Sequence, residues 1–383
     1  MDIRTVWMAA VVLGSLGLGT AAEADSGGHV YSMSNGAGGN VISVLRNKGD
    51  GTLRLLGQYA TGGNGTGTGI TIPPDPLGSQ DSIVLSPDKR WLFAASAASN
   101  QISTFRVLGD ALALTSVVAS GGSYPVSIAV RGSRVYVLNS AGQPNVTGFY
   151  LSPGGGLFPI PDSTRTVTAP TVSAGVQPNV MDNPAQLGFS PDGRWLIVTD
   201  KNVSDPGTLS VFPVGADGRL GASAVVTVSP DAAPFGFTFD ARGTLQVTES
   251  RAGAISSYRL NHDGTLTSLG RVFTGQLTVC WIDTVGRYAY SSNSASDSLT
   301  GYRIQPDGTL RLLNASGISA AVGVGSRPLE LRISGDGRFL YTLAGGYSSI
   351  AIYHINRATG TLTSTSEFNF GPGLAGRVGL AVE

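Results

Sequence analysis

Two short phrases alternate along the chain, and their number constrains the fold more than any other feature. The first is a turn followed by a β-rich run: SPDKRWLFAAS (86–96), GSRVYVLN (132–139), SPDGRWLIVTD (190–200), ARGTLQVTE (241–249), TVGRYAYSSN (284–293) and SGDGRFLYTLA (334–344). A seventh copy, GGHVYSMSN (27–35), lacks the preceding turn. The second phrase is GDGTLRLLG (49–57), GDALALTS (109–116), GGGLFPI (154–160), ADGRLGAS (216–223), HDGTLTSLG (262–270), PDGTLRLLN (306–314) and TGTLTST (359–365). Asp-Gly supplies the positive φ that a tight hairpin needs. Each unit therefore holds four strand signals: A ends in the first turn, B leaves it, C enters the second turn and D leaves that. Seven units of about 51 residues predict an all-β, seven-bladed β-propeller with four antiparallel strands per blade. Strand A is visible before only six B strands. The missing one is expected at Val378–Val382, pairing with residues 29–35 and closing the ring of strand edges.

Composition agrees. The chain has 54 Gly and 20 Pro, which would suit disorder, but 41% of its 383 residues are hydrophobic and the β-formers Val, Ile, Thr, Tyr and Phe abound. Only 13% are charged, and scarce Glu and Lys exclude a coiled coil. A net charge of zero argues against nucleic acid as a partner. Cys280 stands alone and reads as a small buried apolar residue.

The N-terminus does not read as part of the disc. Arg4 precedes the uncharged run VWMAAVVLGSLGLG, and Ala22-Glu23-Ala24 follows. This predicts a signal peptide over 1–24, a propeller over 25–383, a secreted or periplasmic location and no membrane span in the mature chain. A monomer is expected.

The D–A loops at 61–80, 163–185, 314–327 and 369–377 are long and irregular, so recognition is expected on their face, over the channel. His29, His262 and His354 fall towards the opposite face, which argues against a histidine base or a histidine-ligated metal. Six of the seven B strands end in a polar residue: Ser34, Ser96, Asn139, Asp200, Glu249 and Asn293, with Ala344 the exception. Glu249 and Asp200, on neighbouring blades, are the candidate acid–base pair. Arg251, Arg327 and Arg377 are the candidate guanidinium groups for a carboxylate or lactone oxygen. Gln80, Asn139, Gln186, Trp281, Asn293 and Glu330 complete the expected substrate-binding set, with Asp81 beside Gln80. No cofactor is expected. A Ca²⁺ held by Asn139, Asp200, Glu249 and Asn293 is the alternative use of that ring of oxygens. A non-catalytic propeller that binds a ligand or protein through its D–A loops is the alternative function.

The phrases SPDGRWLIVTDK, CWIDTVGRYAYSSN and GDGRFLYTLAGG, within the sevenfold repeat, resemble the seven-bladed β-propeller lactonase family. That family includes one class of 6-phosphogluconolactonases and the carboxymuconate lactonizing enzymes. The resemblance implies hydrolysis or cyclisation of a small lactone or carboxylic acid, with an acidic residue at the position of Glu249. Where relatives often carry a strand-A histidine, this chain reads Pro184-Ala185-Gln186 and Pro234-Phe235-Gly236.

Overall fold

The two recurring phrases become two kinds of closed turn. In the first, the Ser190 hydroxyl donates to Asp192 Oδ1 at 2.6 Å and accepts the Trp195 amide at 3.0 Å, and Ser86 and Ser334 repeat the arrangement. In the second, an aspartate caps the amide two residues on, as Asp263 does for Thr265 at 3.0 Å. The glycine between them, Gly264, sits at φ +84°, and a Cβ there would lie 2.7 Å from the Trp195 ring of the preceding blade. The same residue thus closes its own hairpin and lets the next blade stack.

The computed structural model describes residues 27–67, 75–168, 173, 176–202, 206–231, 233–371 and 376–383. The expected signal segment, 1–24, lies outside the described residues. Seven antiparallel sheets follow one another, each with its A strand innermost. In blades 2 to 7 the A strands are Ile83–Leu85, Ser123–Arg131, Pro184–Phe189, Pro234–Phe239, Val279–Val285 and Pro328–Ile333. Blade 1 is built from both ends of the chain: Val378–Val382 pairs with His29–Met33, followed by Val41–Asn47 and Leu53–Ala60. Tyr31 faces Ala381 and Ser32 faces Leu380 across that seam. The seam also carries side chains: His29 Nδ1 lies 2.7 Å from Glu383 Oε2, and His29 Nε2 lies 2.9 Å from Asp110 Oδ1 on blade 2. In blades 3 and 6 the D strand is split, with Arg165–Thr166 and Ala320–Ala321 as second pieces. Among the described residues the one helical element is a 3-10 turn at Ser294–Ser296, and no helix is long and apolar enough to cross a membrane.

Each B strand is buried along nearly its whole length, because it has a strand on either side and a blade against either face. D strands at the rim are largely half-buried or exposed, and the inner A strands surround the axis.

Candidate functional site

Blade 2 has the shortest A strand, three residues, and the reason lies just before it. Residues 76–81 leave the sheet and cross the channel. Gln80 makes a two-way contact with blade 6: its Oε1 accepts the Ile282 amide at 3.2 Å and its Nε2 donates to the Ile282 carbonyl at 3.3 Å. Trp281 Nε1 donates to Ser79 O at 2.8 Å, and Asn183 Nδ2 to Leu77 O at 3.0 Å. Lys201 Nζ donates to Gly78 O at 2.5 Å and sits 4.4 Å from the Phe235 ring centre. Gly236 makes room for this segment, since a Cβ there would stand 2.4 Å from Gln80 Oε1. The channel is therefore filled from the long-loop side.

What remains open is on the side of the short A–B turns, where the sequence reading did not look. A cavity of about 410 Å³ lies there, lined by the ends of the A strands of blades 2 to 7. Its polar groups include Gln80, Asp81, Gln186, Asp283 and Arg332, with Arg131 at the rim. Phe189, Phe237 and Phe239 supply an aromatic wall. No histidine lines it.

The floor is a knot of charge. Arg332 donates to Asp81 in a close ion pair, and its Nη2 donates to Glu330 Oε1 at 2.6 Å. Gln186 Nε2 donates to Asp81 Oδ2 at 2.6 Å, and the Asp81 amide donates to Glu330 Oε1 at 3.0 Å. Asp283 accepts the amides of Thr284 at 2.8 Å and Ile333 at 3.0 Å. Asp81 and Arg332 keep 20% and 16% of their side chains exposed, while Glu330 keeps 2%. Burial raises the Asp81 and Asp283 carboxyls, against the pull of Arg332. Glu330 is pushed up to about 8, by burial first and then by Asp81, with Arg332 opposing. Burial disfavours the Arg332 charge, but Asp81, Glu330 and Asp283 together hold it firmly protonated.

Asp283 and Arg332 were missed from sequence, yet a signal existed. The strand register makes Val84, Ala129, Gly188, Thr238, Asp283, Arg332 and Ala381 equivalent, facing Phe93, Tyr136, Ile197, Gln246, Tyr290, Tyr341 and Tyr31. Five of these positions are small or uncharged, and the two charged ones lie on adjacent blades.

The other expected residues lie elsewhere. Gln80 and Gln186 line the cavity, Glu330 braces Arg332 beneath it, and Trp281 clamps the segment that fills the channel. Asn139, Asp200, Glu249 and Asn293 are all buried at the ends of B strands and bond mainly within their own blades. Asn139 donates to Asn145 Oδ1, Asn293 to Ser298 and Thr300, and Asp200 accepts from Ser210 and Thr208. Glu249 Oε2 accepts from Ser229 at 2.8 Å, in the loop arriving from blade 4. The charged neighbours of Glu249 are Asp231 and Arg271, so it and Asp200 do not form a pair. Among the described residues no three or more His, Cys, Asp or Glu side chains gather as a metal site. Arg251 and Arg327 are exposed on the long-loop face. Arg377 is buried in blade 1, where it donates to Ser32 O at 3.0 Å and Ser43 Oγ at 2.9 Å and covers the Phe370 ring at 3.6 Å. Burial pulls it down to about 9. Cys280 is buried 3.2 Å from Ser250 Oγ, and burial lifts its thiol to about 12, which leaves it unreactive.

Glu249 yields a stability prediction. Burial, only partly offset by the Ser229 hydroxyl, pushes it from 4.5 up to about 8. Between those values the folded chain keeps a proton that the unfolded chain has lost, so stability falls as pH rises through that window, by at most about 1.4 kcal/mol per pH unit. Glu249→Gln is expected to flatten this slope and to melt a few degrees higher than the parent at pH 8. Thermal melts of both proteins from pH 4.5 to 8 test it, and parallel curves would refute it.

A family model described as lactonase, 7-bladed β-propeller, matches residues 284–372, which take in Arg332. The chain is lactonase-like in fold. It superposes on a Bacteroides fragilis protein provisionally named a 6-phosphogluconolactonase with a TM-score of 0.72 at 17% identity, over 94% of this chain and 99% of the other. For the periplasmic gluconolactonase of Pseudomonas aeruginosa the TM-score is 0.71 at 18% identity, over 93% and 99%. A streptogramin B lyase superposes at 0.55 and 15% identity, over 82% and 89%. These likenesses establish the seven-bladed frame and leave the reaction to the site itself. No curated protein matches the chain in sequence.

Proposed function

We propose that the turn-face cavity binds a small lactone and hydrolyses it, with Asp283 as the base and Arg332 as the electrophilic partner. The observation that carries this reading is that Asp283 and Arg332 lie together at the floor of the cavity, each shifting the charge of the other. Asp283 is partly exposed, fixed by two backbone amides and raised by burial, which suits a group that must accept and return a proton. A water oxygen bonds the lactone carbonyl carbon as Asp283 takes its proton. The ring C–O bond then breaks, and the ring oxygen takes that proton from Asp283 to give the open hydroxy acid. Arg332, held in place by Asp81 and Glu330, stabilises the negative oxygen formed in between.

The family match over 284–372, which takes in Arg332 and begins one residue after Asp283, supports a lactone as the substrate. Asp283→Asn keeps one of the two amide contacts, because its side chain has a single acceptor oxygen, and removes the base. It is expected to lower kcat for lactone opening, followed by pH-stat titration, by about 10²-fold or more. An unchanged kcat in a variant that melts like the parent would remove Asp283 from this role.

We also propose that the protein works outside the cytoplasm. The leader-like residues 1–24 support this, as does the periplasmic location named for the similar Pseudomonas aeruginosa protein. N-terminal sequencing of exported protein is expected to begin at Asp25, and a start at Met1 would rule the cleavage out.

A further inference from the structure

We propose a second binding site: a cleft between blades 6 and 7, on the turn face but outside the channel cavity, that takes a small organic anion. Its oxyanion head is held by Arg287 and Arg357, and its apolar stem lies against Tyr288 and Ile355. The proposal is independent of the lactone reading.

The first observation is a repeated junction that differs here. On the turn face the A–B turn of one blade meets the C–D turn of the next. Arg90, Arg194, Arg287 and Arg338 each stand just before the aromatic residue that opens a B strand: Trp91, Trp195, Tyr288 and Phe339. In three of these turns an aspartate two residues earlier, Asp88, Asp192 or Asp336, answers the arginine's charge. The blade 6 turn is two residues shorter: Val285 pairs directly with Tyr288, in the place where Ser334 pairs with Phe339 across a longer turn. The aspartate is gone and Arg287 remains. The C–D turn of blade 7 lacks its aspartate as well. Thr359 precedes Gly360 where Asp50, Asp263 and Asp307 precede the glycines of other blades, and Arg357 lies two residues earlier. Two cations thus meet where both local carboxylates are missing. Among the described residues neither guanidinium donates a hydrogen bond or closes an ion pair, and Arg357 acts on Asp336 of its own blade at longer range. Arg338, the blade 7 counterpart of Arg287, instead donates to Gly49 O at 3.2 Å and lies 3.9 Å from Asp336.

The second observation is the space between the two arginines. They share a cavity of about 220 Å³ with Val285, Tyr288 and Ile355. Tyr288 and Ile355 are buried, and the Tyr288 hydroxyl is committed to Ala358 O at 2.7 Å, so the floor is apolar. Arg287 and Arg357 are exposed. The matching clefts between blades 7 and 1 and between blades 2 and 3 each include a carboxylate, Asp336 and Glu383 in one and Asp88 in the other. An apolar floor under two unbonded guanidiniums suits a ligand that brings the missing negative charge and buries an apolar stem.

The test uses phenyl phosphate, titrated calorimetrically into the full chain at low salt and neutral pH. It is expected to bind with a Kd of about 1 mM or tighter, and inorganic phosphate, which lacks the stem, at least about tenfold more weakly. Arg287→Gln and Arg357→Gln are each expected to weaken phenyl phosphate by about tenfold or more. Thr359→Asp restores the carboxylate of the other blades and is expected to do the same with both arginines in place. Thermal melts show which variants are folded, and Thr359→Asp decides the matter should an arginine variant not be. Arg303→Gln, at an exposed arginine of blade 6 outside the cleft, should leave binding unchanged. Binding that survives replacement of both arginines, or no binding at about 10 mM, overturns the site. So does binding that responds to Arg131→Gln instead, which would put the ligand in the channel cavity. Equal binding of inorganic phosphate overturns the apolar stem.

Discussion

Deleting residues 378–383 is expected to leave a chain that no longer melts cooperatively. The cut removes the inner strand of blade 1, including the buried Val378, Leu380 and Ala381. At roughly 1.5–3 kcal/mol for each large apolar side chain, the lost burial alone approaches the 5–15 kcal/mol that stabilises a typical domain. The backbone loss adds to it: His29–Met33 keeps Val41–Asn47 on one side but is left with an open edge beside the axis, although all five of its residues are buried in the intact ring. The Glu383 contacts with His29, Tyr31 and the Gly335 amide go as well. Near-UV circular dichroism and limited proteolysis would show the loss. A truncated protein that melts like the parent would mean that the seam does not hold the ring shut. A synthetic peptide covering the deleted strand is expected to restore part of the transition, because the groove it fills is otherwise intact.

Arg332→Met is expected to have the second largest effect, on stability and activity together. It leaves Asp81, Glu330 and Asp283 facing one another without their cation, and breaking a buried pair in this way costs about 3–5 kcal/mol. The pH dependence identifies the cause. All three carboxyls are already raised, so without Arg332 they rise further and can fold only when protonated. The variant should therefore approach parental stability near pH 5 and lose it steadily towards pH 8, which is the direction of linkage for an acid whose folded value is raised. Combining Arg332→Met with Asp81→Asn and Glu330→Gln should recover most of the stability at pH 8 while leaving lactone opening depressed. If the single variant is equally destabilised at both pH values, packing and not charge would be the explanation.

The blades were legible in the sequence because a tight turn needs particular chemistry at particular spacing. Ser-Pro-Asp-Gly and Asp-Gly-Thr announce hairpins wherever they occur, and seven repetitions leave little freedom. Even the closing strand could be placed, since one blade was short of one strand. The site was harder to read for two physical reasons. A B strand is second from the axis, so the residue at its end sits between blades, as Glu249 does beside Ser229, rather than in the channel. And residues 76–81, which decide the face on which the cavity opens, carry no periodic signal. Their function is fixed by contacts with Trp281, Asn183 and Lys201, each more than a hundred residues away in the chain. Asp283 and Arg332 were within reach, because aligning the A strands by their B partners isolates two charges among small side chains.

Blade 1 also sets a timetable for the nascent chain. Its B, C and D strands are the first to be synthesised and its A strand is the last, so the pairing of Tyr31 with Ala381 waits for the whole chain. Loop-closure entropy makes such a distant contact slow to find. Until it forms, six blades with local hairpins can assemble while the first presents an open apolar edge, a template for pairing with another molecule. The step that limits folding is thus expected to be the docking of one five-residue strand, and its rate, rather than the stability of any blade, would decide how much of the protein escapes aggregation.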